Sequence, residues 1–299
     1  MKNYKIKFLM VVVLSFFISG LFAQDTTSFK TYIESGMAKY KAKDYSGAIT
    51  DFDNAINKKS DVTSNMAIAY YHRATCKRLT KDFTGALADY DNAIKNKNDN
   101  ADYFVGRAVT KNELKDTTGA IADYTTAISI KPTDESSFFE RAKLKMMGKN
   151  YKGAIEDFKS AIDLKADYYE AYNLRGKANL YMKDTTAALA DYSKAIELKS
   201  DYVQAYNNRA SLKYFQKDYD GAKADFTKLI ELKPDEGSAY YFRGRTDIKL
   251  MINAQKAADV AKAKDLNTDA CNDFNKAKDL KYAKADDMIT KYCKDQVPK

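Results

Sequence analysis

Small, apolar and acidic positions return along this chain in a fixed order. Ala, two variable positions, Asp, an aromatic residue, two more positions and then Ala or Leu recur six times. These copies open at Ala48, Ala86, Ala120, Ala154, Ala188 and Ala222. A seventh reads Ala270, Asp273, Phe274, Ala277. Four of the five intervals between the first six copies are 34 residues and the first is 38. A period of this length marks stacked supersecondary units that share one elongated core. Within each copy the apolar positions fall at helical spacing, which predicts a helix. Asp44, Asp82, Asp116, Asn150, Asp184 and Asp218 stand four residues ahead of the leading Ala. A short polar side chain there caps the free amides of a first turn. Upstream of the caps from Asp82 onward runs aromatic-x-x-Arg-(Ala or Gly), as in Tyr70-Tyr71-His72-Arg73-Ala74 and Tyr172-Asn173-Leu174-Arg175-Gly176. This predicts a first helix. Blocks close on polar turns such as Lys131-Pro132-Thr133-Asp134, where a proline cannot continue a helix. The unit is helix A, turn, helix B, turn.

The spacing and its ladder of small residues (Ala74, Ala108, Ala142, Gly176, Ala210 and Gly244 on helix A) resemble the tetratricopeptide repeat (TPR) over roughly residues 29–282. The chain departs from that pattern where the family has a Tyr late in helix A, which here is mostly Lys (Lys77, Lys111, Lys145, Lys213). Turn prolines are also missing at Ser60, Asn98, Ala166 and Ser200. The resemblance implies an all-α fold: an α-solenoid of about seven helix pairs forming a right-handed superhelix, with helix A lining a concave groove. In that family the ligand-facing positions of helix A correspond here to Tyr71, Thr75, Val105, Val109, Phe139, Lys143, Asn173, Lys177, Asn207, Tyr214, Tyr241 and Arg245. Some members clamp a C-terminal carboxylate; the positions required do not match as a set, although Lys143, Asn173, Lys177 and Asn207 form a polar centre. The resemblance implies a protein or extended peptide as partner. Tyr71, Phe139, Tyr214 and Tyr241 are expected as exposed anchors.

Arg73, Arg107, Arg141, Arg175, Arg209 and Arg243 recur at one helix A position, and Asp51, Asp89, Asp123, Asp157, Asp191 and Asp225 at one helix B position. Recurrence in every unit argues for structure, because an active site occurs once. The first block has Ser35 in place of Arg and no predecessor. The expectation is therefore that each Arg reaches back to the Asp of the preceding repeat, beginning with Asp51 and Arg73. Guanidinium suits such a forked, partly buried contact.

Both ends depart from the repeat. Lys2, Lys5 and Lys7 precede an apolar run from Phe8 to Phe22 that ends at Ala23. This reads as a secretory signal peptide (1–23) followed by a short linker (24–28). A single membrane anchor is the alternative, but the run is short against the roughly 20 residues a span needs. The expectation is export, periplasmic or cell-envelope associated or secreted, without stable membrane insertion after cleavage. At the other end, Gly244 and Ala270 stand 26 residues apart instead of 12, so the last repeat carries an insertion at 249–265. This is expected to lengthen helix A or add a short projecting helix. Residues 283–299 read as a capping helix and tail. Cys271 and Cys293 are equidistant from a turn near Leu280–Ala283, which places them side by side in a helical hairpin. An oxidising compartment would let them form a disulfide; the alternative is two buried thiols.

Charge and chemistry narrow the reading further. The formal charge is +9, and loss of Lys2, Lys5 and Lys7 leaves +6. The remaining Lys interleave with Asp, which is a mixed surface and not a nucleic-acid stripe. The single His72 has no neighbour at metal-ligand spacing, and Cys76 reads as packing. There is no Gly-rich phosphate loop or nucleophile elbow. The sequence therefore reads as a non-enzymatic scaffold without cofactor. The alternative is a structural subunit of an envelope assembly, bound through its convex face or the insertion.

Overall fold

The computed structural model describes residues 29–293. The expected signal peptide, the linker and the last six residues lie outside them. The described residues form helices and turns, with no strand among them. The helices are α1 (29–41), α2 (Tyr45–Lys58), α3 (Thr63–Leu79), α4 (Phe83–Asn96), α5 (Ala101–Glu113), α6 (Thr117–Ile130), α7 (Glu135–Met147) and α8 (Tyr151–Leu164). They continue as α9 (Tyr169–Tyr181), α10 (Thr185–Leu198), α11 (Val203–Phe215), α12 (Tyr219–Leu232), α13 (Gly237–Lys256), α14 (Val260–Asp279) and α15 (Ala285–Tyr292). Odd-numbered α1–α13 are the A helices and even-numbered α2–α14 the B helices of an all-α solenoid. The chain divides into two compact units between Leu144 and Lys145, inside α7.

Each A–B turn uses the same chemistry. Its middle residue is in the left-handed region: Lys43, Lys81, Lys115, Lys149, Lys183 and Lys217 in the first six repeats, with φ between 58 and 67°, and Ala258 in the seventh at 60°. This lets the following Asp amide reach back to the A helix, as from Asp82 to the Lys77 carbonyl at 2.8 Å, a Schellman closure. The same Asp then caps helix B. Asp82 Oδ1 accepts from Gly85 N at 2.9 Å, and Asp44, Asp116, Asn150, Asp184 and Asp218 do likewise at 2.8–3.1 Å. A stop and a start thus fit into three residues, which forces the helices antiparallel and close. The small residues permit that approach. Gly176 faces the Tyr192 ring and Gly244 the Phe274 ring so closely that a Cβ would come within 2.8 Å of each.

Two irregularities have simple structural accounts. The 38-residue first interval lengthens α3 to 17 residues, against 13 in α5. The insertion in the last repeat lengthens both helices of the pair: α13 and α14 are 20 residues each, where α11 and α12 are 13 and 14. The expected lengthening of helix A is present, and helix B lengthens with it. Shared lengthening keeps the hairpin in register, so its extra turns bury Met251 and Ala254 against Ala263 and Leu266. α15 then folds back after a turn at Lys281 (φ 61°). Cys271 and Cys293 are joined in a disulfide with Cα atoms 5.7 Å apart. Met288, Ile289 and Tyr292 cover the core formed by Tyr241, Ile248 and Phe274. No described helix is long and apolar enough to cross a membrane.

Candidate functional site

The Arg–Asp series is a ladder, but its main rungs run within repeats, contrary to the expectation from sequence. Arg73 Nε and Nη2 donate to the Asp89 carboxylate at 2.7 and 2.5 Å. Arg107 forks onto Asp123, Arg175 onto Asp191, Arg209 onto Asp225 and Arg243 onto Asp273, all in the same pair. The reason is packing: the two helices of a pair pack more closely than a B helix does against the next A helix. Ser35 obeys the same rule, donating to Asp51 at 2.7 Å. The preceding repeat supplies only the third contact. Arg73 Nη1 reaches Asp53, Arg107 Nη1 reaches Asp91, Arg141 Nη1 reaches Thr125 and Arg209 Nη1 reaches Ser193. The aromatic three residues ahead lies under each guanidinium, 5.3–5.8 Å from ring centre to Cζ, which explains the aromatic-x-x-Arg motif.

The late helix A Lys completes the rung. Lys39, Lys77, Lys111, Lys145 and Lys213 lie 2.7–2.9 Å from Asp51, Asp89, Asp123, Asp157 and Asp225. In the fifth repeat Asn179 takes that place, donating to Asp191 at 3.0 Å. Burial pushes the Asp51 carboxyl up, but Lys39 and Ser35 outweigh it and hold it below its ordinary value. The recurring Lys four residues after Arg was a visible signal for this role.

The seventh repeat inverts the arrangement. Asp247 stands where the Lys belongs, and it is 1% exposed. Lys223 on α12, where the five preceding B helices carry Ile or Leu, approaches Asp247 Oδ1 at 2.8 Å. Neither carboxylate oxygen has a hydrogen bond of good geometry. Burial pushes Asp247 up to about 6; Lys223 opposes this, while Asp273 and Asp269 add to it. Asp273 is also raised, by burial first, against the pull of Arg243.

The A-helix positions implied by the family resemblance divide unevenly in the first unit. Tyr71 is half-buried among His72, Tyr90 and Tyr103, and burial, with Asp102, pushes its hydroxyl up to about 12. Thr75 donates to the Tyr71 carbonyl at 2.9 Å. Val105 and Val109 pack on Ala108, Tyr124 and Leu144. Phe139 is 9% exposed and belongs to the core, so it is not the exposed anchor expected. Lys143 lies over that ring and is neutralised by Glu140 at 2.8 Å. Arg78 has no carboxylate partner among the described residues, and its Nε is buried without a hydrogen bond.

In the second unit Asn173 is buried and accepts from Asn208 Nδ2 at 2.9 Å. Tyr241 is 7% exposed and also belongs to the core. Lys177 and Asn207 are exposed, and Lys177 has no acidic partner among the described residues. Arg245 is half-buried in a box of three rings: its Cζ lies 5.4 Å from Tyr214, 5.7 Å from Tyr241 and 5.7 Å from Phe242. Among the described residues only the Tyr214 hydroxyl, 3.5 Å away, accepts from it. No described carboxylate neutralises it. The exposed aromatics are residues that sequence reasoning missed: Phe215 is 80% and Tyr181 54% exposed, each at the end of an A helix. Both close a helix, and Phe215 follows the ligand-facing Tyr214, which was the available clue.

His72 is half-buried against Phe52 and Tyr71, and burial lowers its pKa. The Cys76 thiol is buried and pushed up to about 11, which makes it a poor nucleophile. No cluster of three His, Cys, Asp or Glu among the described residues could hold a metal.

A stack of antiparallel helix pairs closed by a cap defines a helical-repeat protein. Tetratricopeptide repeat models match residues 33–101, 169–202 and 203–236. The chain belongs to the tetratricopeptide repeat family. The C-terminal part of a TPR repeat-containing protein from Cytophaga hutchinsonii is similar, with a TM-score of 0.68 at 20% identity over 85% of this chain and 98% of that one. A tetratricopeptide repeat protein from Parabacteroides merdae has a TM-score of 0.59 at 21% identity, over 89% and 97%. YrrB, described as a TPR protein with an unusual peptide-binding site, has a TM-score of 0.50 at 17% identity, over 62% and 91%. At these identities the likeness concerns the fold. No curated protein matches the chain. TPR proteins are in general non-enzymatic scaffolds that bind proteins or peptides.

Proposed function

We propose that this protein is a non-enzymatic exported scaffold that holds an acidic, extended segment of a partner protein against its A-helix face. The observation that carries this reading is the Arg245 guanidinium, held by three rings and left without a carboxylate. A half-buried cation is costly unless something pairs it. The rings orient it at low entropic cost, and a partner carboxylate would complete it. Lys177, in the same unit, also lacks an acidic partner among the described residues and gives the same sign. The basic, apolar start of the sequence and the disulfide support export to an oxidising compartment such as a periplasm. The interleaved Lys and Asp favour protein over nucleic acid.

A photo-crosslinking residue at Asn207, on the A-helix face, should trap the partner in intact cells. The same residue at Glu197, on the exposed side of helix B α10, should not. Trapping at Glu197 alone would move the binding surface to the B helices. Arg245→Gln should weaken the captured interaction, and added salt should weaken it further. A second reading rests on the lengthened α13–α14 hairpin, whose tip leaves Val260 77% exposed. In it the chain is a structural subunit of an envelope assembly docked through residues 249–265, and a crosslinker at Val260 tests it directly.

A further inference from the structure

A cavity of about 440 Å³ lies between α9 and α11. Its apolar walls are Leu180, Tyr181, Leu212 and Phe215, and Lys177 stands at its edge. Phe215 is the most exposed large apolar residue among the described residues, its ring edge-on to Tyr214 at 5.9 Å. Tyr181, by contrast, is fixed: its ring stacks on Tyr151 with centroids 4.6 Å apart and planes 13° apart. The volume suits one large side chain, since ligand cavities begin at roughly 300 Å³. Asn208 and Ser211 add hydrogen-bonding groups to the lining, which a passing backbone can use. Asp184, the acid at the neighbouring turn, is occupied in capping Ala187 N at 2.9 Å. The local charge is therefore that of an unpaired ammonium beside an apolar hole.

We infer that this cavity is a specificity pocket that takes one aromatic or leucine side chain of an extended partner segment, with Lys177 pairing a carboxylate next to it. The inference rests on the A-helix face being the binding surface and names what that face reads. The apolar side chain supplies burial, and the adjacent acid supplies orientation and sign. A neutral apolar ligand would leave Lys177 unused, and a basic one would be repelled.

A display library of random heptapeptides, selected on the purified chain, tests it. Selected peptides should carry Phe, Tyr, Trp or Leu beside Asp or Glu. A synthetic copy, measured by fluorescence anisotropy, should bind about tenfold more weakly to Phe215→Ala and to Lys177→Glu. Replacing its apolar residue by Ala should cost about as much, with little further loss in Phe215→Ala. Circular dichroism should show an unchanged fold, because Phe215 is exposed. Peptides that depend on Arg245 but ignore Phe215 would overturn the pocket and leave the binding face standing. No enriched peptide, or peptides indifferent to Phe215, Lys177 and Arg245 alike, would overturn both. Self-association seen by sedimentation and lost in Phe215→Ala would assign the cavity to a second copy of the chain, and would also overturn it.

Discussion

The typical ladder Arg joins two repeats with one planar group. Its Nε and Nη2 close its own pair on Asp, and in most repeats Nη1 reaches the helix behind. A double-mutant cycle should therefore find Arg107 coupled to Asp123 and not to Asp89. Arg107→Ala should cost about 1–3 kcal/mol in urea unfolding, because Asp123 keeps only Lys111. Coupling to Asp89 instead would restore the between-repeat pairing. The turn lysines have the opposite sign. Lys115 sits at φ 66°, a conformation that costs a side-chain-bearing residue roughly 1–2 kcal/mol. Lys115→Gly relieves this at the expense of a more flexible unfolded chain. A net gain of about 0.5–1 kcal/mol is expected, and a lower thermal midpoint would refute it.

At the scale of elements, the α12–α13 junction is the one place where a buried acid replaces the ladder Lys. Asp247 is raised to about 6, above its ordinary 3.8. Its proton is therefore held more tightly in the folded state. Below pH 4 the group is neutral in both states and contributes nothing. Between about pH 4 and 6 the unfolded chain ionises it while the folded state still holds the proton, so stability falls across that range and levels off above it. The penalty at pH 7.5 is up to about 3 kcal/mol. Asp247→Asn should raise the thermal midpoint at pH 7.5 and flatten its fall between about pH 4 and 6. A variant with the wild-type pH profile would show that Lys223 already satisfies the charge. The lengthened hairpin is a second lesson of this scale. Fourteen extra residues between Gly244 and Ala270 were countable in the sequence, but their division between two helices was not. It depends on the paired burial of Met251 with Ala263 and Leu266.

For the whole molecule, the governing fact is that a repeat touches only its neighbours. Damage at one end should stay there. Reducing Cys271–Cys293, which closes a loop of 22 residues, should cost about 3 kcal/mol. Hydrogen exchange should quicken in α13, α14 and α15, while α3 to α6 keep their protection. Uniform loss of protection would mean that the cap supports the entire array.

The sequence by itself determined the repeat, its helix pairs, the caps at Asp82 and its equivalents, and the side-by-side placing of Cys271 and Cys293. These follow from local rules: periodicity, N-cap chemistry, and a terminal helix with one turn and hence one neighbour to fold against. Only the tertiary structure decided the partner of each ladder Arg. Asp89 is as far from the turn before it as Arg73 and as far from the turn after it as Arg107, so spacing permits both pairings. The closer approach of helices within a pair chooses between them. The same holds for Phe139 and Tyr241, which family positions place toward the ligand and packing draws into the core. Phe215 and Arg245 show the converse. Whether an aromatic ring stays in water, or a guanidinium finds an acid, depends on residues brought near from other repeats, and no pattern along one helix records that.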